Sequence, residues 1–340
     1  MSDGDARIDD VLALAPLQEG LFSLSHLSGN DDVYTIPFVV DIEGPLDSAR
    51  MRGALEALLR RHSNLRAVFW DEDLPRPVQI VPSEVELPWA ETNSEPQQLD
   101  AVTAAEIRGG FDLSRGPALR VLLVNSPPDG TGTERRRMIV TMHHILIDGW
   151  SLGLFFTELR ALYQAGGADE ALPPVRPYRD YIAWLAGQDM ESARKRWVDY
   201  LGAVDGPLMV ADGGATMGID SAEVSTPAEI TRFTLPAEQT ARLRTWARSR
   251  GLTLNTVVQF AWTLVLSRLT DRRDVVYGTV VTGRPDQLPG VDRIIGLFLN
   301  TVAVAFRLEP DGSPASECAR LQRESAAMRE IGYLSLSAVQ

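Results

Sequence analysis

The sequence predicts an α/β protein built as two similar units, and three observations carry that prediction. A strand-like run followed at once by an amphipathic helix opens the N-terminal half (VYTIPFVVDI, then LDSARMRGALEALLRRH), and the same order returns later (ITRFTL, then residues 237–250). The chain has 340 residues, near the size of two ordinary domains. Its composition, 44% hydrophobic and 23% charged, is that of a folded globular protein and excludes collagen-like, low-complexity and wholly disordered classes.

Residues 33–42 are rich in β-branched and aromatic side chains and stop at Glu43-Gly44-Pro45, which reads as a strand and a turn. In the helix that follows, Met51, Ala54, Leu55, Leu58 and Leu59 recur at helical spacing, and Arg60, Arg61 and His62 sit at the C-terminal end favoured by the dipole. Residues 65–70 and 78–81 read as short strands, and residues 96–109 as a second helix. LRVLLVNS and RRMIVTMHH are β-like runs separated by the turn signal Pro127-Pro128-Asp129-Gly130, which predicts a hairpin. Ser151 is placed to cap the next helix, whose apolar face is Leu152, Phe155, Phe156, Leu159, Leu162 and Tyr163 and whose end is Gly166-Gly167. Residues 178–201 predict one more amphipathic helix, with Tyr181, Trp184, Leu185 and Trp197 on its buried side.

The stretch 202–229, with five glycines, reads as a loop or a crossing between units. Beyond it come the strand ITRFTL, helices over 237–250 and 253–269, and strands in DVVYGTVVTGR and IIGLFLNTVAVAFRL. The domain boundary is expected near residue 177, giving units 1–177 and 178–340.

Charge and cysteine content exclude several classes of function. Thirty-three basic residues against 46 acidic ones give a net charge of −13 at pH 7, which repels nucleic acid and anionic membranes. The run Arg135-Arg136-Arg137 reads as the solvated start of a strand. Cys318 is the sole cysteine, so an intrachain disulfide and a Cys-based zinc site are both excluded. The N-terminus is acidic where a signal peptide needs a basic segment, and no apolar run approaches the about 20 residues of a membrane span, so a cytoplasmic protein is expected.

Two of the four histidines, His143 and His144, end a strand in the string MHHILIDGWS, where side chains and the backbone amides of a helix start can face one cleft. Three chemistries compete for this segment, beside a purely structural reading in which His144 is a hydrogen-bonded loop residue and Asp148 a local cap. Gly149-Trp150-Ser151-Leu152-Gly153 matches G-x-S-x-G, but an α/β-hydrolase needs a histidine after the serine and none follows Ser151, which leaves a triad of another order with His144 against the simpler reading of Ser151 as the helix cap. A metal site would use His143 or His144 with Asp148, yet His26 and His62 lie far off and a zinc site wants at least three protein ligands. Phosphate-cradling glycine motifs are absent. The third chemistry is acyl transfer without a covalent enzyme intermediate, in which a histidine with an ordinary pKa of about 6.5 manages the proton of an attacking amine or hydroxyl. The backbone N–H of Gly149 and the helix start could then face a developing oxyanion.

The string His143-His144-Ile145-Leu146-Ile147-Asp148-Gly149 resembles the HHxxxDG motif of the condensation domains of nonribosomal peptide synthetases. LAPLQEGLF (14–22), RHSNLRAVF (61–69), DVVYGTVVTGRP (274–285) and IGLFLNT (295–301) resemble other motifs of that family, in order and across almost the whole chain. The resemblance implies two chloramphenicol-acetyltransferase-like lobes, each a two-layer α+β sandwich, arranged as a V, with the active site at their junction. It implies no cofactor bound by the domain itself. The substrates ride on the 4'-phosphopantetheine of upstream donor and downstream acceptor peptidyl carrier proteins, beside a neighbouring adenylation domain, and the acceptor amine attacks the donor thioester.

Carried over by position, His144 is the catalytic histidine, as a base or as a group that positions the amine. His143 and Asp148 are then structural, with Arg284 or Arg66 as the ion-pair partner of Asp148, and Gly149 keeps the substrate channel open. Two departures stand out. VAVAFRL has Ala303 and Ala305 where relatives carry a proline and an arginine, and Tyr333-Leu334-Ser335-Leu336 resembles the start of a late motif at which this chain stops, so an incomplete C-terminal lobe is expected. An epimerisation domain and a catalytically silent platform for partner proteins are the alternative functions. Heterocyclisation is disfavoured, because those relatives carry aspartate in place of the two histidines.

Overall fold

A computed structural model of the chain describes residues 7–28, 33–127, 134–202, 204, 206, 208, 210 and 232–339. The chain divides into two compact units, Met1–Asp189 with Thr282–Asn300, and Met190–Val281 with Thr301–Gln340. The expected boundary at residue 177 differs from this division in two respects. Residues 178–189 stay with the first unit, and so does the returning segment 282–300, because Tyr178 and Tyr181 pack on Phe298 with ring centroids 5.3 and 4.5 Å apart.

The first unit contains strands β1 (Ile8–Ala13), β2 (Thr35–Glu43), β3 (Val68–Trp70), β4 (Val78–Pro82), β5 (Trp89–Asn93), β6 (Leu119–Ser126) and β7 (Arg135–His143). Its helices are α1 (Pro16–Ser28), α2 (Ser48–Arg61), α3 (Leu99–Ile107), α4 (Gly149–Ala165) and α5 (Arg179–Ala186). The main sheet runs β2-β7-β6-β5, antiparallel except for the β5/β6 pair, and a second sheet runs β1-β4-β3.

The expected hairpin is β6/β7, with Leu119 opposite Met142, although residues 128–130 of its turn signal lie outside the described residues. Every residue of β7 from Met138 to His143 is buried. Asp47 caps α2 by accepting from the N–H of Arg50 at 3.0 Å, and Met51, Ala54, Leu55, Leu58 and Leu59 go into the core as their spacing requires. There they meet Phe155, Leu159 and Leu162 of α4, each such side chain contributing about 1.5–3 kcal/mol by burial.

The arginine run is neutralised locally. Arg137 pairs with Asp41 at 2.7 Å and Asp100 at 3.0 Å, and Arg135 lies 3.8 Å from Glu43, so β7 presents cross-strand ion pairs here.

The second unit contains α6 (Met190–Leu201), α7 (Ala237–Arg248), α8 (Leu254–Thr270), β8 (Asp274–Thr282), β9 (Leu299–Arg307) and α9 (Pro314–Arg329), the last residue of β8 and the first two of β9 counting with the first unit. β8 and β9 form a two-stranded sheet. Phe260, Leu266, Val275, Val304, Phe306, Cys318 and Leu321 build one core cluster, and Trp197, Val302, Met328 and Ile331 another. Ala303 and Ala305 are buried in β9, and the Tyr200 hydroxyl brackets Ala305 by donating to its carbonyl at 2.8 Å and accepting from its N–H at 3.0 Å. Burial pushes that hydroxyl up to about 12.

Four expectations differ from the structure. Residues 178–201 form two helices, because Gly187 ends α5 and α6 starts afresh at Met190. Ser151 does not cap α4, since the carboxylate of Asp148 reaches its N–H and takes that role. Residues 294–298 are not strand, as their backbone groups bond to side chains instead of a ladder. In ITRFTL, residues 232–235 have no strand, whereas 230 and 231 lie outside the described residues, as does most of 202–229.

Candidate active site

β7 delivers His143 opposite Thr35, and its backbone N–H donates to Ala118 at 2.9 Å. The His143 side chain is fully buried and its Nδ1 accepts from the N–H of Ile145 at 3.1 Å, which caps the short 3-10 turn His144–Leu146. That bond uses the histidine as a structural cap.

His144 is half-buried. Its backbone N–H donates to Tyr34 O at 2.9 Å, and its carbonyl accepts from Ile147 at 3.3 Å. The ring Nδ1 is buried and has no hydrogen-bond partner among the described residues. Gln18 Nε2 donates to the carbonyl of the next residue, Ile145, at 3.0 Å.

Asp148 faces away from that chemistry. Its Oδ1 accepts from the N–H of Ser151 at 2.7 Å and from Arg284 Nη2 at 3.4 Å, and its Oδ2 accepts from the N–H of Phe298 at 3.1 Å. Its own N–H donates to Gly296 O at 3.1 Å. The carboxylate is therefore a helix cap, an ion-pair partner and an anchor for the returning segment at once.

Arg284 is the partner of Asp148 that the sequence left open. Its Nη1 donates to Ile294 O at 3.0 Å, its Nη2 also donates to Ser151 Oγ at 2.7 Å, and its guanidinium carbon lies 3.8 Å from the Phe298 ring centroid. Burial pulls the guanidinium below its ordinary pKa, against the opposing pull of Asp148. Arg66 is engaged elsewhere. It pairs with Asp9 at 2.9 Å and donates to the carbonyls of Leu59 at 2.7 Å and Pro82 at 3.0 Å, tying α2 to β4.

Gly149 is exposed at the first turn of α4, and a Cβ there would meet nothing within 4 Å. Open space therefore lies on this side of the turn. Trp150, also exposed, donates its indole N–H to Asp292 O at 2.9 Å.

The structure thus gathers His143, His144, Asp148, Gly149 and Arg284, and leaves Arg66 out. The sequence reading missed Ser151 as a buried crosslink, Gly296 and Phe298 as backbone partners, and Gln18. The match LAPLQEGLF contained Gln18, but the contact to Ile145 spans 127 positions and has no local signature. Among the described residues, no group of three or more His, Cys, Asp or Glu side chains could hold a metal ion, and no helix is long and apolar enough to cross a membrane.

The fold and this turn define a mixed α/β protein of condensation type. The family model described as the condensation domain matches residues 8–339. The chain belongs to the condensation-domain family of the nonribosomal peptide synthetases. A linear gramicidin synthase of Brevibacillus parabrevis is 34% identical over 345 residues, taking in 98% of this chain and 4% of that protein. Surfactin synthase subunit 3 of Bacillus subtilis (strain 168) is 28% identical over 343 residues, taking in 98% of this chain and 26% of that protein. The chain therefore spans a small part of these relatives. Among solved structures, the X-domain from teicoplanin biosynthesis in complex with OxyB matches with a TM-score of 0.77 at 22% identity, covering 100% of this chain and 73% of that one. The first condensation domain of the calcium-dependent antibiotic synthetase, with a substrate analogue, matches with a TM-score of 0.72 at 21% identity, covering 96% and 76%. Both likenesses are of fold.

Proposed function

We propose that this chain is an amide-forming condensation domain acting in nonribosomal, antibiotic-type peptide biosynthesis in the cytoplasm. Its substrates are a donor acyl or peptidyl thioester and an acceptor aminoacyl group, each on the 4'-phosphopantetheine of a carrier protein, within an assembly that includes an adenylation domain. The acceptor nitrogen bonds to the thioester carbonyl carbon, the C–S bond breaks, and the proton lost by the amine goes to the departing donor thiolate. His144 Nε2 meets the amine, and the N–H of Gly149 at the start of α4 meets the developing oxyanion. His143, Asp148 and Arg284 hold the turn that presents them.

One observation carries this reading. In the intact HHILIDG turn, the buried Asp148 is committed to Arg284 and to two backbone N–H groups, whereas the His144 ring carries no acid, its Nδ1 having no hydrogen-bond partner among the described residues. That division of labour suits non-covalent acyl transfer by a single histidine and takes Asp148 out of a Ser-His-Asp relay.

The test is single-turnover amide formation followed by intact-protein mass spectrometry, with a donor aminoacyl and an acceptor aminoacyl carrier protein. The wild-type chain transfers the acyl group and His144→Ala, still folded, does not. Transfer by the variant would remove His144 from the chemistry. No transfer by either folded protein across several carrier pairs would favour a partner-recruiting platform, and deuterium exchange at the α-carbon of a carrier-bound residue without transfer would indicate epimerisation.

A further inference from the structure

A histidine that handles a proton in catalysis is usually oriented by a hydrogen bond from its other ring nitrogen to a carboxylate or carbonyl. His144 lacks that device. Its Nδ1 is buried without a partner among the described residues, and the acid four positions on, Asp148, spends both oxygens elsewhere. The ring's position must then come from the backbone that bears it, and that backbone is gripped on both sides of the side chain. His144 N–H is held by Tyr34 O, and the carbonyl of Ile145 is held by Gln18 Nε2.

Gln18 is built for this. It sits in the first turn of α1, is 2% exposed, and its Oε1 reaches back to accept from the N–H of Ala15 at 2.8 Å. This is the return half of a capping box, supplied by the third residue of the helix. The same Oε1 accepts from Gln79 Nε2 at 3.3 Å, and Gln79 itself, 1% exposed on β4, donates to Ala13 O at 2.7 Å. With two donors aimed at Oε1, the Gln18 amide has one orientation, which points its NH₂ at Ile145 O. The helix start and β4 together form an abutment for the residue next to His144.

We infer that Gln18 is the positioning residue for His144, fixing the imidazole through the Ile145 carbonyl in place of an acid on Nδ1. The inference deepens the proposed amide-forming role of His144 and rests on that reading. It makes Gln18, 126 positions away in sequence, part of what sets the rate without touching the substrate.

Two substitutions separate the bonds. Gln18→Glu keeps an acceptor for Ala15 and Gln79 but sets a carboxylate oxygen against Ile145 O, and Gln18→Met keeps the length and removes both functions. In single-turnover assays each lowers the rate constant by about tenfold to a hundredfold, as a displacement on the order of 1 Å of a catalytic group does. The half-saturating carrier-substrate concentration stays within about twofold. Leu58→Ala in the α2 core, chosen to lower the melting temperature comparably, leaves the rate constant near wild type at a temperature where all variants are folded.

A second readout needs no turnover. With four histidines in the chain, ring ¹³C and ¹⁵N resonances can be assigned by comparison with His144→Ala. The His144 signals shift or broaden in both Gln18 variants and not in Leu58→Ala, while those of His26 and His62 stay in place. Unchanged His144 spectra with wild-type rates in both variants overturn the inference. If the wild type forms no amide, the proposed activity fails and the spectra alone decide the positioning role. If neither variant folds, the wild-type ¹⁵N shifts decide. Mixed tautomers support the inference, and a single tautomer with a slowly exchanging Nδ1 proton overturns it, because a side-chain partner would then be orienting the ring.

Discussion

Ser151 and Gly296 exchange two hydrogen bonds across 145 positions of sequence, the Ser151 hydroxyl donating to the glycine carbonyl at 2.8 Å and accepting from its N–H at 3.0 Å. The side chain thus imitates a backbone residue of a sheet, and Arg284 completes the joint by donating to the same oxygen at 2.7 Å. A serine inside G-x-S-x-G here serves to stitch α4 to residues 294–298.

Ser151→Ala therefore separates stitching from nucleophilic catalysis. It strands the buried N–H of Gly296 and takes one of two partners from the Gly296 carbonyl and from Arg284 Nη2, each of which keeps its bond to Asp148, at a cost of about 1–3 kcal/mol. Urea unfolding reads that loss, and amide formation persists in the folded fraction. Complete loss of turnover with unchanged stability would return the serine to the chemistry.

Asp148→Ala and Arg284→Ala each leave an unpaired charge, with the Asp148 side chain 1% and the Arg284 side chain 8% exposed. Removal of one partner of such a pair costs about 3–5 kcal/mol. A double-mutant cycle gives a coupling well above the about 0.5 kcal/mol expected of independent sites. Arg66→Ala weakens the protein through its own contacts to Asp9 and Pro82, and its effect adds to that of Asp148→Ala.

Acid sensitivity has an identifiable source in Glu158 on α4. Burial raises its pKa, but the hydrogen bond and charge of His62 at 2.7 Å and of Arg61 at 2.9 Å outweigh it and hold the carboxyl below the ordinary 4.5. A carboxylate whose pKa is depressed by folding adds stability that is complete above its unfolded value and is lost as pH falls through the folded one. Glu158→Gln removes about 1–3 kcal/mol at neutral pH, and its stability falls less steeply than wild type between about pH 5 and about pH 3. Parallel urea midpoints over that range would exclude Glu158 as the source.

Two glycines with opposite surroundings give a paired test. A Cβ on Gly283 would collide with the carbonyl oxygen of Phe298, which is backbone and has no room to yield, whereas at Gly20 inside α1 it would meet nothing within 4 Å. Gly283→Ala is expected to cost about 1–3 kcal/mol or more, and Gly20→Ala to gain about 0.5–1 kcal/mol from helix propensity. Thermal melting distinguishes the two directions.

Legibility in the sequence followed the range of the interactions. The spacing of Met51, Leu55, Leu58 and Leu59 announces α2, and Gly166 at φ 69° ends α4 where expected, because both are set within a turn or two of chain. His143, His144, Asp148 and Gly149 were legible as a contiguous motif. The choice between Arg284 and Arg66 was not, since both lie in plausible strings and only contact decides. The assignment of the cap to Ser151 failed for a related reason. Asp148 and Ser151 are both good caps, and the buried Arg284 and Phe298 N–H draw the carboxylate to the helix start and release the hydroxyl to Gly296.

The bond from Phe298 N–H to Asp148 joins residues 150 positions apart. At a synthesis rate of about 5–20 residues per second, α4 leaves the ribosome roughly 8–30 s before the partner of its cap exists. For that interval the nascent chain carries an acidic cap and a serine hydroxyl with water as their substitute partners. The site is finished only when residues 282–300 are threaded back, so its assembly is a late and non-local event in the life of each molecule.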